Sequence, residues 1–110
     1  DIAAIPGKLF FKIGEAACLT GVKPYVLRYW ESEFSVLKPE KSRTGQRLYR
    51  REDIAMILRV KELLYKDGYT IAGAKQRLLQ EQGETNLQRA AEALRKVKEV
   101  LLDISSVLAR

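Results

Sequence analysis

Basic side chains are concentrated in one short stretch of this 110-residue chain. Between residues 38 and 51, six Lys or Arg residues stand against the single acid Glu40, which leaves that stretch with most of the chain's formal net charge of +6. Cations this dense repel one another unless an anion neutralises them. We therefore expect the phosphates of a nucleic acid as the partner, with an anionic membrane or a merely solvated surface as the alternatives.

Other chemistry has little support in the sequence. The chain contains no His and one Cys, Cys18, which excludes a disulfide framework, a Cys/His zinc site and a His acid–base centre. The acid pair at 31/33 is interpreted as bracketing the end of a helix, and the pair at 52/53 as beginning a helix, where the helix dipole favours acids. We predict no enzyme, no cofactor, no metal, no signal peptide and no membrane span, with Cys18 in the core and a redox role as its alternative.

The elements before the basic stretch are predicted to be two short helices joined by a turn. Apolar spacing over residues 13–19 predicts the first helix, which stops at Thr20-Gly21. Pro24 is tolerated in a first helical turn, and the second helix is expected to begin there and end near Phe34. This arrangement is typical of a helix-turn-helix.

The second predicted helix carries three side chains suited to DNA on one face. Tyr25, Arg28 and Tyr29 follow the i, i+3, i+4 spacing of a shared helical side, and Lys23 lies just before them. Burying an unpaired Arg28 costs several kcal/mol, so this face is expected to be outward, with Val26, Leu27 and Trp30 toward the core. A place in the core is the alternative for each of the two tyrosines.

The basic stretch itself is predicted to form a small hairpin, or wing. Pro39 forbids a helix there, and the tetrad at residues 42–45 is a plausible turn between two short strands. Strand alternation places Arg47 and Tyr49 on one face, with Leu48 on the other face as the anchor to the core. Phosphate contact is expected from the cations on or beside the turn, Lys41, Arg43, Arg47 and Arg50.

Three helical segments are predicted after the wing. An acidic start at 52–53 begins the first, which runs toward Gly68; Thr70 caps the second, which stops near Gly83; the third runs from Asn86 to the end. Apolar residues in the third are spaced alternately by three and four, a heptad seam that predicts a coiled coil: Leu87, Ala90, Leu94, Val97, Leu101, Ile104 and Leu108. The alternative is an amphipathic helix folded onto the rest of the domain.

Several short motifs occur in a characteristic order between about Phe10 and Gln82. They are Phe11-Lys12-Ile13-Gly14-Glu15-Ala16-Ala17, Thr20-Gly21-Val22, Leu27-Arg28-Tyr29-Trp30-Glu31, Leu37-Lys38-Pro39, and Gly45-Gln46-Arg47-Leu48-Tyr49 with Asp53. Together they resemble the winged helix-turn-helix of the MerR (mercury-resistance regulator) family.

The resemblance implies a mostly α fold: a winged helix-turn-helix with a two-stranded β wing, then a two-helix segment and a C-terminal coiled-coil dimerisation helix. It further implies a cytoplasmic bacterial transcription regulator. Such a regulator binds a pseudo-palindromic promoter element in double-stranded DNA as a homodimer, distorts it, and meets RNA polymerase there. By motif match, Tyr25 falls where the family faces bases, Arg28 and Tyr29 where it contacts the backbone, and Arg47 where the wing meets phosphate or the minor groove.

The predicted organisation is a flexible lead-in at 1–9, a DNA-binding domain at 10–83 and a dimerisation helix at 86–110. The expected DNA-binding residues are Lys23, Tyr25, Arg28, Tyr29, Lys41, Arg43, Arg47, Tyr49 and Arg50. Two other functions stay open at this point. One is an excisionase-like architectural protein that bends DNA, and the other is a helical adaptor that binds another protein through the heptad helix.

Overall fold

The fold is mostly helical with one small antiparallel sheet. The structure, a computed structural model, describes residues 6–109, so residues 1–5 of the predicted lead-in lie outside the described part of the chain. The elements are β1 (Phe11–Lys12), α1 (Ile13–Thr20), α2 (Pro24–Glu33), β2 (Glu40–Lys41), β3 (Arg47–Tyr49), α3 (Arg51–Lys61), a π-helical turn (Glu62–Lys66) and α4 (Ile71–Leu108). The predicted fold class is confirmed.

The turn between α1 and α2 is fixed by local chemistry. Gly21 adopts φ 70°, the left-handed conformation that glycine adopts without penalty, and its N–H donates to the carbonyl of Ala17 at 2.9 Å. The buried Thr20 hydroxyl donates to the carbonyl of Ala16 at 2.7 Å. Pro24 then occupies the first turn of α2. The predicted helix stop and start are confirmed.

The wing has one strand more than the sequence predicted. The strand order is β1-β3-β2, with Phe11 opposite Tyr49 and Lys41 opposite Arg47. Gly45 adopts φ 82° in the hairpin turn, where its N–H donates to the carbonyl of Ser42 at 3.0 Å. Strand β1 could not be predicted from the sequence, because two residues are too few to show strand alternation.

The wing buries Tyr49 and not Leu48 as its core residue, which is the reverse of the prediction. Tyr49 is 1% exposed and belongs to the core with its strand neighbour Phe11, also 1% exposed, whereas Leu48 is half-buried. The expectation that Leu48 anchors the wing is therefore wrong. The physical reason is area, since an aromatic ring buries more apolar surface than a leucine.

Cys18 is exposed, so its predicted place in the core is also wrong. The buried residues of α1 are Ala16 and Thr20, one helical turn apart. Cys18 lies midway between them in sequence and therefore on the opposite side of the helix.

The chain divides into two compact units, Asp1–Lys75 and Gln76–Arg110. Thr70 caps α4 as predicted, accepting the Gly73 N–H at 3.0 Å. The predicted stop near Gly83 and second start at Asn86 are wrong, because α4 continues through both positions. Gly83 does not adopt positive φ, and one glycine costs a helix only about 1 kcal/mol relative to alanine.

Continuity of α4 predicts that Gly83→Ala stabilises the protein. A Cβ at Gly83 would meet no heavy atom within 4 Å in the described part of the chain, so the substitution should raise helical content and add up to about 1 kcal/mol. Gly68→Ala is the matched control: its Cβ also meets open space, but φ is 72°, and we expect a loss of about 1–2 kcal/mol. Circular dichroism during thermal and urea unfolding measures both, and destabilisation by Gly83→Ala would contradict a continuous helix.

Candidate nucleic-acid interface

The outward face of α2 consists of polar and aromatic side chains. Tyr25 is 68% and Tyr29 53% exposed, and Arg28 is exposed between them. The opposite side of the helix contributes Leu27 and Trp30 to the core. The predicted orientation of α2 is therefore confirmed. In the part of the chain that the structure describes, the outward face of α2 is exposed to solvent.

A groove of about 480 Å³ lies between the start of α1, the middle of α2 and the wing turn. Lys12, Arg28 and Arg47 supply three cations to its lining, and Gly14 and Gly45 leave parts of its wall without side chains. A concave surface lined by cations concentrates positive potential. Its chemistry suits a phosphate of a nucleic-acid backbone.

Glu15 is the acid in this groove, and nearby basic residues offset its charge. Lys8 donates a hydrogen bond to the Glu15 carboxylate, and the Lys12 backbone N–H donates another at 3.2 Å. The Lys8 hydrogen bond, followed by that of Lys12, lowers the pKa of Glu15. Even with Glu15 ionised, the lining cations outnumber it.

The other wing cations are not equivalent. Lys41 and Arg43 are exposed at the hairpin, where they are available to an anion. Arg50 is the residue before α3, and its Nε lies 3.6 Å from Glu52 and 3.7 Å from Asp53. The structure thus places Lys41 and Arg43 on the wing and associates Arg50 with acids at the start of α3.

Glu31 joins α2 to the wing. Its carboxylate accepts hydrogen bonds from Arg47 Nε at 2.9 and 3.0 Å and from the Tyr49 hydroxyl at 3.1 Å. The Arg47 and Glu31 side chains are only 23% and 14% exposed. Burial, and then the negative charge of Glu31, raise the pKa of Tyr49, so the phenol stays protonated and acts as a donor.

This geometry changes the place of Tyr49 among the expected DNA-binding residues. A side chain that is 1% exposed cannot touch DNA while the core stays closed, so Tyr49 acts on this surface only through its hydrogen bond to Glu31. Glu31 was not predicted as a functional residue, because its position in the sequence indicated only an acid at the end of a helix. The available signal was the i, i+2 spacing of Arg47 and Tyr49, two donors on one strand face.

Lys61 on α3 is a second supporting residue that sequence reasoning missed. Its Nζ donates to the backbone carbonyl of Thr20 at 2.9 Å, 41 residues away along the chain. The last carbonyls of a helix have no partner within the helix, and a cation there is stabilising. Lys61 therefore holds the end of α1, just before the turn that leads into α2.

Residues 6–109 show neither a metal site nor a membrane-spanning helix. No group of three or more His, Cys, Asp or Glu side chains in that range is placed to hold a metal ion. Within the same range, no helix combines the length and apolar character needed to cross a bilayer.

Residues 11–81 match the sequence profile of the family described as MerR HTH family regulatory protein. The chain belongs to the MerR family. The resemblance drawn from the motifs is confirmed, because this chain carries the HTH domain of a MerR-family regulatory protein.

Individual proteins show how far the similarity extends. The HTH-type transcriptional regulator GlnR of Bacillus anthracis is 29% identical over 92 residues, which cover 84% of this chain and 70% of GlnR. MlrA of Escherichia coli is 37% identical over 51 residues, 46% of this chain and 21% of MlrA. The transcriptional repressor CarH of Myxococcus xanthus is 34% identical over 70 residues, 64% of this chain and 23% of CarH. The matched part thus spans less than a quarter of MlrA and of CarH.

A solved structure supports the fold. The crystal structure of a MerR-family transcriptional regulator from Bacillus cereus superposes with a TM-score of 0.58, at 22% identity, over 89% of this chain and 76% of the other. At that identity the likeness shows a common fold.

The exposed position of Tyr25 predicts a role in base reading. Tyr25→Ala should relax preference at one or two positions of the DNA site and cost about 1–3 kcal/mol on the preferred sequence, with an unchanged melting temperature. Leu79→Ala is the control, because Leu79 is comparably exposed at 58% but lies on α4. Competition binding against single-base variants measures both, and an unaltered preference in Tyr25→Ala would remove Tyr25 from the reading face.

Proposed function

We propose that this chain binds a pseudo-palindromic promoter element in double-stranded DNA as a homodimer and distorts it. The observation that carries the proposal is the outward face of α2, with Tyr25, Arg28 and Tyr29 exposed beside a cation-lined groove. In a helix-turn-helix the second helix enters the major groove. Family membership supports RNA polymerase as a further partner and the cytoplasm as the location.

Base reading and phosphate binding fall to different parts of this surface. Tyr25 and Tyr29 offer rings and hydroxyls to base edges and the nearby backbone from α2. Lys41 and Arg43 extend from the wing toward the backbone beside the groove that α2 occupies. Since each cation that meets a phosphate releases a counterion, binding should weaken steeply as salt concentration rises.

The seam of the last helix supports a second copy of the chain as partner. All residues from 82 to 109 are exposed, and the large seam residues are each at least half exposed: Leu87 73%, Leu94 70%, Val97 56%, Leu101 61%, Ile104 51% and Leu108 80%. A helix with an apolar stripe of this length is stabilised by packing of that stripe against a partner, and not by helix propensity alone. A second copy with the same heptad seam supplies that packing.

Selection of bound sequences from a random DNA pool tests the proposed function. Two inverted half-sites at a fixed separation are expected, because a symmetric dimer presents two equivalent α2 helices. Enrichment of bendable DNA without a sequence would favour an architectural protein instead. Absence of salt-dependent DNA binding would favour the alternative function of a protein-interaction adaptor.

Disruption of the seam tests the dimer separately from the DNA-binding unit. Leu94→Asp with Leu101→Asp should give a monomer by sedimentation, since burial of each leucine contributes about 1.5–3 kcal/mol. The variant should bind one half-site weakly and lose cooperative binding to the palindrome.

Leu102 provides the control for this experiment. Its side chain is exposed to the same 61% as that of Leu101, but it lies one position off the seam, so Leu102→Asp should remain a dimer. Sedimentation of the unmodified chain as a monomer at micromolar concentration would contradict the dimer.

A further inference from the structure

Arg47 uses only part of its hydrogen-bonding capacity in the ion pair with Glu31. Both contacts to the carboxylate come from Nε, at 2.9 and 3.0 Å. The terminal nitrogens Nη1 and Nη2 have no hydrogen-bond partner among residues 6–109. The same side chain lines the groove that also contains Lys12 and Arg28.

We propose that Glu31 is a positioning residue for DNA binding: it holds Arg47 by Nε and Tyr49 by its hydroxyl, so that Nη1 and Nη2 are presented to a phosphate in the groove. This inference rests on the proposed function, because it assumes that the groove receives the DNA backbone. According to this inference, the acidic residue Glu31 favours the binding of a phosphate, although both groups are negatively charged.

The chemistry of arginine makes this double contact possible. A guanidinium has five N–H donors in a rigid plane, so one edge binds a carboxylate while the other nitrogens stay available. An arginine held at Nε loses less side-chain entropy when the phosphate arrives. The Tyr49 hydroxyl, 3.1 Å from Oε2, fixes the carboxylate from the core side.

The proposal and simple charge counting predict opposite changes in DNA-binding affinity when Glu31 is replaced. Loss of a negative charge beside DNA should strengthen binding if charge alone matters. If Glu31 positions Arg47, its loss should weaken binding, because Arg47 then adopts many conformations. Glu40 is the matched control: it is an exposed acid of the wing, and no ion pair of Glu40 is found within the described range.

The test uses Glu31→Gln, Glu40→Gln and Tyr49→Phe in the full chain, with fluorescence anisotropy on the selected duplex over a range of salt concentrations. We expect Glu31→Gln to bind roughly fivefold or more weakly, with the salt slope reduced by about 1 for the lost Arg47 phosphate contact. Glu40→Gln should bind as well as or better than the unmodified protein. Tyr49→Phe keeps the buried ring and the net charge, and should weaken binding in the same direction as Glu31→Gln.

A double-mutant cycle separates positioning from general destabilisation. Arg47→Lys retains the charge but cannot serve both partners, and in the Glu31→Gln background it should cause little further loss. Side-chain nitrogen NMR of the DNA-free protein follows the Arg47 Nε–H, whose exchange with solvent should accelerate in Glu31→Gln. That measurement reports on the ion pair whether or not the protein binds DNA.

Two results would overturn the proposal. If Glu31→Gln binds DNA as tightly as Glu40→Gln, with an unchanged salt slope, Glu31 has no positioning role, although the proposed function stands. If the unmodified protein shows no salt-dependent binding while its Arg47 Nε–H is protected, the proposed function fails together with the role of Glu31 in it.

Discussion

A sheet with strands of two, two and three residues cannot hold a wing in place by its own hydrogen bonds. Side chains supply the missing constraint: Phe11 and Tyr49 are buried in the core, and Arg47 and Tyr49 both donate to Glu31 on α2. The wing and α2 are therefore linked through one carboxylate. The cation-lined groove between them depends on that link, since Arg47 lies both in the ion pair and in the groove wall.

The direction of α2 is set from both of its ends. At its start, Gly21 makes the turn from α1, and Lys61 holds the last carbonyl of α1 from the third helix. Along its inner side Trp30 is buried, with its ring centroid 6.1 Å from that of Tyr65 in the π-helical turn. Near its end, Glu33 pairs with Lys75 of α4 at 3.0 Å. These contacts leave the face of α2 that carries Tyr25 free for a partner.

Features that depend on residues close together in the chain could be predicted from the sequence, whereas features that depend on residues far apart in the chain could not. The turn at Gly21, the cap at Thr70 and the outward side of α2 depend on neighbours within a helical turn, and the sequence carries that information. The burial of Tyr49 and the role of Glu31 depend on pairings across 16 to 38 residues of chain, which periodicity cannot show. The continuous α4 was missed for another reason, because a glycine weakens a helix without always ending it.

The proposed function requires that α2, the groove and the wing form one DNA-binding surface. Backbone amide NMR spectra recorded as a short duplex is added test it most directly. We expect the shift changes to concentrate in residues 12–15, 23–29 and 41–47, and to diminish as salt is raised. Changes centred instead on the π-helical turn at 62–66 or along residues 87–108, with residues 23–29 unaffected, would contradict it.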